Sequence, residues 1–136
     1  MGSPVGTISV TTVGGITVAS HIAGQIGALL RDAAAAGIIL GGGAYRSADA
    51  QIAVRRSNCG SSQYDIWQKP SSQCRPPAAR PGQSMHERGE AIDFTCNGVL
   101  ITSRSNACYR WLAANAGRYG LQGNSREAWH WSTNGR

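Results

Sequence analysis

Hydrophobic and polar positions divide the chain into elements before any chemistry is considered. From Thr7 to Val18, β-branched residues surround Gly14-Gly15, a pattern that predicts a strand, a tight turn and a second short strand. Ile22, Ile26, Leu29, Leu30 and Ala33 then recur at helical spacing. Ser20 is placed to cap that helix and Gly37 to stop it. Ile38, Ile39 and Leu40 read as a short buried strand ended by Gly41-Gly42-Gly43. A glycine triplet can cradle phosphate, but no Gly-Lys-Ser/Thr follows, so a close backbone approach or a sharp turn is expected instead.

Ser47 to Arg56 reads as a second helix, capped by Ser47 with Asp49 in its first turn. Ser57 to Gln83 is polar and rich in Pro and Ser, and is expected to be a long loop. Ala91 to Thr95 is a short apolar strand carrying Asp93. Ser105 is expected to cap a further helix in which Cys108, Trp111, Leu112 and Ala116 share a face, ended by Gly117 or Gly120. The aromatic segment Glu127–Trp131 closes the pattern as a strand. Helices alternating unevenly with short strands predict an α+β fold with a small, mostly antiparallel sheet flanked by helices.

The chain has 136 residues with 41% apolar content, enough for one domain and too few for two well-cored ones. Met1-Gly2-Ser3 resembles an expression scar, and residues 1–6 are expected to form a tail. The formal charge of +6 comes mainly from arginine and favours an anionic partner. Arg55-Arg56 is the only adjacent basic pair, so no polybasic arm exists. No recognition helix, aromatic platform or basic stripe marks a nucleic-acid binder.

Cys59, Cys74, Cys96 and Cys108 lack the short spacings of a zinc ribbon or redox pair. They read as two disulfides, with sequential pairing the simplest of three connectivities. Disulfides imply export, yet no signal segment opens the chain and no apolar run is long enough to span a membrane. The expectation is an extracellular or wall-associated domain, its signal removed or its parent chain longer, with no membrane insertion.

Two of the three histidines lie among groups that suit a metal. His86, Asp93 and His130 offer two imidazoles and a carboxylate, a donor set that zinc takes in catalytic sites. A turn at Gly89 would let the next strand return beside His86. Glu127, three residues before His130, is placed to act on water as a general base. Taken residue by residue, the same groups read more readily as structural ones, with zinc the lesser reading. Glu87 and Glu90 read as solvated carboxylates, and His21 as an exposed residue away from both motifs.

The motifs themselves are more specific. Ser84–Asp93 follows Ser-x-His-x-x-Gly-x-Ala-x-Asp, Glu127–Trp131 follows Glu-x-Trp-His-Trp, and Tyr45-Arg46-Ser47 precedes Gln51. In this order they resemble the VanY-type D-alanyl-D-alanine carboxypeptidases. The resemblance implies the fold shared with lysostaphin-type enzymes and hedgehog domains, one zinc ion on His86, Asp93 and His130, and Glu127 as catalytic base. It implies that Arg46 stabilises charge on substrate or intermediate, and that Gln51 and Ser84 help to hold the peptide. Bland alternatives stand beside these roles: a surface charge, a helix-surface residue and a turn residue. Trp129 and Trp131 would line or buttress the site, or simply pack in the core. Cys59-Gly60 and Cys74-Arg75-Pro76-Pro77 resemble a cysteine-bearing branch from high-GC Gram-positive bacteria, whose insertion could roof the cleft.

The implied activity is zinc-dependent hydrolysis of peptidoglycan stem peptides by a monomer, with the bond between two D-alanines the first candidate. An endopeptidase of the same fold and a catalytically silent zinc-containing binding module are the rivals. Glu127 argues against the silent module, because a pure binder needs no base beside its metal.

Overall fold

The computed structural model of the chain describes residues 8–136. The expected start of the first strand at Thr7 and the tail over 1–6 lie outside the described residues. Strands β1 (Val10–Val13) and β2 (Ile16–Ala19) pair antiparallel about Gly14-Gly15, as the β-branched pattern predicts. Helix α1 spans Ser20–Ala35 and buries Ile22, Ala23, Ile26, Leu29 and Ala33. Each fully buried Leu or Ile there contributes roughly 1.5–3 kcal/mol, so this apolar stripe fixes α1 on the core. Ser20 is not its cap. Ala19 occupies that position without a side-chain bond, because the Ser20 hydroxyl is drawn to Ser9 (2.8 Å) and Thr11 (2.7 Å) on the hairpin.

The glycine triplet also departs from expectation. It does not end a strand at Leu40 but forms most of β3 (Leu40–Gly43), while Ile39 is exposed. The expected close approach is real: a Cβ at Gly42, where φ is +142°, would stand 2.1 Å from the Asp93 carbonyl oxygen. Missing side chains let β3 lie tight against β4 (Ala91–Cys96), pairing Gly42 with Phe94 and Gly43 with Asp93. β5 (Val99–Leu100) adds to β4 through a turn at Asn97-Gly98. β6 (Gln122–Gly123) and β7 (His130–Ser132) complete an antiparallel sheet of order β3-β4-β7-β6. The last strand is shorter than Glu127–Trp131, because the chain turns over Glu127–Trp129 before joining the ladder.

Helix α2 (Ala48–Cys59) starts where expected, with the Ser47 hydroxyl accepting from Ala50 N (3.1 Å), but runs on past Arg56. Helix α4 (Ala107–Asn115) is capped by Asn106, not Ser105. The Asn106 Oδ1 accepts from Cys108 N (2.8 Å) and Tyr109 N (3.2 Å), whereas the Ser105 hydroxyl pairs with Ser103. A 3-10 turn over Ala116–Tyr119 follows, closed by Gly120 at φ +81°. The main core lies between α1, α4 and the inner face of the sheet, and includes Ile92, Phe94, Leu112, Leu121 and Trp131.

The expected loop over Ser57–Gln83 is an ordered insertion. It contains α3 (Gln63–Trp67), whose cap Ser62 forms a reciprocal box with Asp65, and a 3-10 turn at Ser71–Gln73. Its organiser is Arg55, whose side chain is fully buried. Arg55 donates from Nε to Ile66 O (2.9 Å), from Nη1 to Ala78 O (2.7 Å), and from Nη2 to Asp65 O and Lys69 O (2.7 Å each). Burial lowers the guanidinium's pKa, nearby Arg80 adds to this, and Asp65 partly offsets it. The Cys59–Cys74 disulfide closes the same segment, and Cys96–Cys108 ties β4 to α4, as sequential pairing anticipates. Polar sequence gave no warning of this order because the acceptors are main-chain carbonyls.

Candidate metal centre and active site

Local chain geometry delivers each candidate ligand. Ser84 caps a short 3-10 turn over Met85–Arg88, its hydroxyl accepting from His86 N (3.2 Å). Gly89 then turns the chain back at φ +68°; a Cβ there would meet Ala19 N at 2.6 Å. β4 therefore returns beside His86, as the expected turn requires. Asp93 stands opposite His130 on the paired strands β4 and β7, where directly opposed side chains lie close enough to share an ion.

The three groups converge. His86 Nε2 lies 3.1 Å from Asp93 Oδ1, and His130 Nδ1 lies 3.0 Å from the same oxygen. All three donor atoms fall within 4.8 Å of one another. The outer ring nitrogens determine the protonation. His86 Nδ1 faces Ala44 O at 2.7 Å, and His130 Nε2 faces Arg136 O at 2.5 Å. Main-chain carbonyl and carboxylate oxygens only accept, so these contacts assign the protons to the outer nitrogens. In the neutral rings, the inner nitrogens then turn lone pairs toward a carboxylate. Only extra protons or a cation reconcile three electron-rich atoms facing one point. Ligating histidines are oriented by bonds of this kind on the far nitrogen. With metal–ligand bonds of about 2.0–2.1 Å, donors on a tetrahedral zinc stand about 3.3 Å apart; the two separations to Asp93 Oδ1, 3.1 and 3.0 Å, are close to this.

When protons rather than an ion lie between these atoms, the same contacts shift both groups. Burial would raise the Asp93 carboxyl, yet hydrogen bonds from His130 and His86 outweigh it and hold the group well below the usual carboxylate range. Burial disfavours charged His130, but its bonds to Asp93 and to the Arg136 oxygen raise its pKa on balance.

The remaining candidates sit around a cleft of about 500 Å³. Arg46, Gln51, Ser84, Glu127 and Trp129 line it together with the three candidate ligands. Glu127 is half-buried, and burial pushes its carboxyl pKa up; the Asp93 charge adds to this, and His130 and Arg46 oppose it. Arg46 bridges Asp93 Oδ2 (3.1 Å) and Gln51 Oε1 (2.9 Å), so it is no isolated surface charge. Gln51 is not on the helix surface either: it is 1% exposed, and its Nε2 donates to Ala79 O at 2.8 Å. Ser84 is buried at the turn it caps. Trp131 packs in the core against Tyr109, while only Trp129 reaches the cleft. From the insertion, Pro76, Pro77, Ala78 and Ala79 form one wall.

Two acidic residues are not the solvated groups their sequence suggests. Glu87 is buried and accepts from Gly82 N (3.0 Å) and Ser84 N (3.3 Å), closing the capping turn that presents His86. Glu90 accepts from Thr133 Oγ1 (2.8 Å) and pairs with His21 (3.3 Å). His21 is exposed as expected, but it is not remote from the first motif. Sequence reading also missed Asn124, which lines the cleft and bonds the loop carrying Glu127. Its only signal is the turn-forming character of Asn followed by Ser.

Solved structures with the same fold include a vancomycin-resistance D,D-pentapeptidase VanY from a VanB-type cassette, in complex with Zn(II). It is 22% identical with a TM-score of 0.67, over 93% of this chain and 78% of that one. VanYB in complex with D-alanine-D-alanine gives 22% identity and a TM-score of 0.68 over 93% and 77% of the two chains. DacB, an L,D-carboxypeptidase from Streptococcus pneumoniae, gives 19% identity and a TM-score of 0.57 over 93% and 85%. At these identities the likeness shows the fold, an α+β arrangement around a small antiparallel sheet. No curated protein sequence matches the chain. The family model described as VanY, D-alanyl-D-alanine carboxypeptidase, matches residues 15–136, and the chain belongs to that family.

Proposed function

We propose that the chain is a zinc-dependent D,D-carboxypeptidase that removes the terminal D-alanine from peptidoglycan stem peptides. The observation that carries this reading is the convergence of the inner nitrogens of His86 and His130 on Asp93 Oδ1, in a cleft that Glu127 also lines. His86, Asp93 and His130 hold the ion. Zinc bound there supplies a Lewis acid that polarises the scissile carbonyl and acidifies water.

Protein groups do the rest. Glu127 takes a proton from the attacking water as its oxygen bonds to the carbonyl carbon. When the carbon–nitrogen bond breaks, Glu127 passes that proton to the departing amine. Partial burial suits the carboxyl to both tasks by raising its pKa. Arg46 holds Asp93 through Oδ2, leaving Oδ1 toward the histidines, and its remaining N–H groups can meet negative charge on the substrate. Gln51 fixes Arg46 against the insertion wall. Ser84 accepts a bond from His86 N, and its own proton remains available to a peptide carboxylate. Trp129 gives the peptide an apolar surface.

An extracellular or wall-associated location is supported by the two disulfides, which persist in oxidising compartments. Among the described residues no helix is long and apolar enough to cross a membrane. Glu127→Gln and His86→Ala separate the proposed roles. Glu127→Gln should bind zinc as the parent does while losing about 10²–10⁴-fold in kcat, and His86→Ala should lose zinc itself. Full hydrolysis by Glu127→Gln would remove the base from this scheme.

A further inference from the structure

Glu127 projects from an irregular turn between β6 and β7, a poor platform for a base that must act at one position. Loops hold such groups only when their backbone is fixed. One side chain does most of that fixing. Asn124 Oδ1 accepts from Arg126 N (2.9 Å) and from Glu127 N (3.0 Å), and its Nδ2 donates to Gly135 O (3.1 Å). The backbone of the same residue donates to His130 O (3.1 Å) and accepts from Arg104 Nη2 (3.0 Å). The turn is closed again by His130 N donating to Glu127 O (3.3 Å).

We propose that Asn124 is a positioning residue for Glu127, its side-chain amide fixing the turn so that the carboxylate stays in the cleft beside the three ligands. This rests on the reading of Glu127 as the base. The main-chain bond between Asn124 and His130 survives replacement of the side chain, and Arg136, which faces the His130 ring, is held separately by Asn134 Oδ1 (3.0 Å), so the metal ligand keeps its own anchors. Loss of the amide therefore frees Glu127 while leaving His130 in register. Asn124→Asp keeps an acceptor for Glu127 N and loses the donor to Gly135, whereas Asn124→Ala loses both.

The test uses the zinc-loaded protein and a defined peptide ending in D-Ala-D-Ala. In Asn124→Ala, kcat should fall about 10–100-fold, the range seen when outer-shell partners are lost. KM and zinc affinity should each stay within about threefold. Asn124→Asp should recover part of kcat. In a Glu127→Asp background, whose carboxylate is already displaced, Asn124→Ala should cost much less than in the parent. Additive losses in that cycle would overturn the proposal, as would a loss of zinc affinity that tracks the loss of kcat. If Asn124→Ala fails to fold, shown by circular dichroism, the Asn124→Asp arm decides: a kcat between those of the parent and Glu127→Gln is expected, and a loss equal to Glu127→Gln refutes the acceptor's role. An inactive parent, or a fully active Glu127→Gln, would instead refute the functional reading on which this rests.

Discussion

Replacing Gly42 with alanine tests how the fold holds the metal site. The added Cβ would stand 2.1 Å from Asp93 O, 3.0 Å from its carbonyl carbon and 3.1 Å from Phe94 Cα, all backbone atoms that cannot swing aside. A carbon approaches a carbonyl oxygen comfortably at about 3.3 Å, so β3 and β4 must part locally by about 1 Å. A non-glycine residue at φ +142° adds backbone strain of about 1–3 kcal/mol. Two weakened ladder bonds add about 1 kcal/mol each. The expected destabilisation is about 3–5 kcal/mol, which for a chain of this size lowers Tm by roughly 10–20 °C. Because the strands part at Asp93, zinc affinity should also fall by at least about tenfold. Gly43→Ala is the control, since its Cβ would meet nothing within 4 Å. Scanning calorimetry and zinc titration on both variants decide the matter. A parental Tm and zinc affinity in Gly42→Ala, or equal damage in Gly43→Ala, would refute the close-approach argument.

Arg55→Met should destabilise the protein by about 3–5 kcal/mol, because buried carbonyls lose a charged donor; denaturant unfolding measures this, and accelerated proteolysis within 57–83 should accompany it. Reducing Cys59–Cys74, probed with a Cys59→Ala/Cys74→Ala double variant, should remove about 3 kcal/mol in the chain-entropy model for a loop of this length, read as a lower unfolding midpoint. Leu29 is fully buried on α1, so Leu29→Ala should cost about 2–5 kcal/mol while leaving the zinc affinity of the folded protein unchanged, as titration below the unfolding temperature would report.

Elements governed by neighbours in sequence were legible. The hairpin about Gly14-Gly15, the buried stripe of α1 and the Ser47 cap follow from local pattern. The convergence of His86, Asp93 and His130 was legible because the two motifs place them on a turn and on paired strands. Elements governed by distant partners were not. Ser20 looks like a cap until the hairpin hydroxyls claim it. The glycine triplet looks like punctuation until β4 lies against it. Glu87 is a different case: its donors, Gly82 N and Ser84 N, are near in sequence, and Ser84-x-x-Glu87 has the spacing of a capping box that a reading as solvated charge overlooks. The order of the insertion depends on one buried guanidinium reading main-chain oxygens, and these have no sequence signature. The burial of Gln51 went unread for the same reason, since its partner is the Ala79 carbonyl oxygen.

The central claim is that three converging ligands and Glu127 form a zinc peptidase site acting on D-alanyl-D-alanine. It is tested most directly by mass spectrometry of a defined stem pentapeptide ending in D-Ala-D-Ala, incubated with the zinc-loaded protein, with the chelated protein, and after zinc is restored. The account predicts loss of one terminal D-alanine with zinc present, no cleavage after chelation and recovery on re-addition. Cleavage that persists without zinc would contradict the metal site, and cleavage only at an internal bond would contradict the carboxypeptidase assignment.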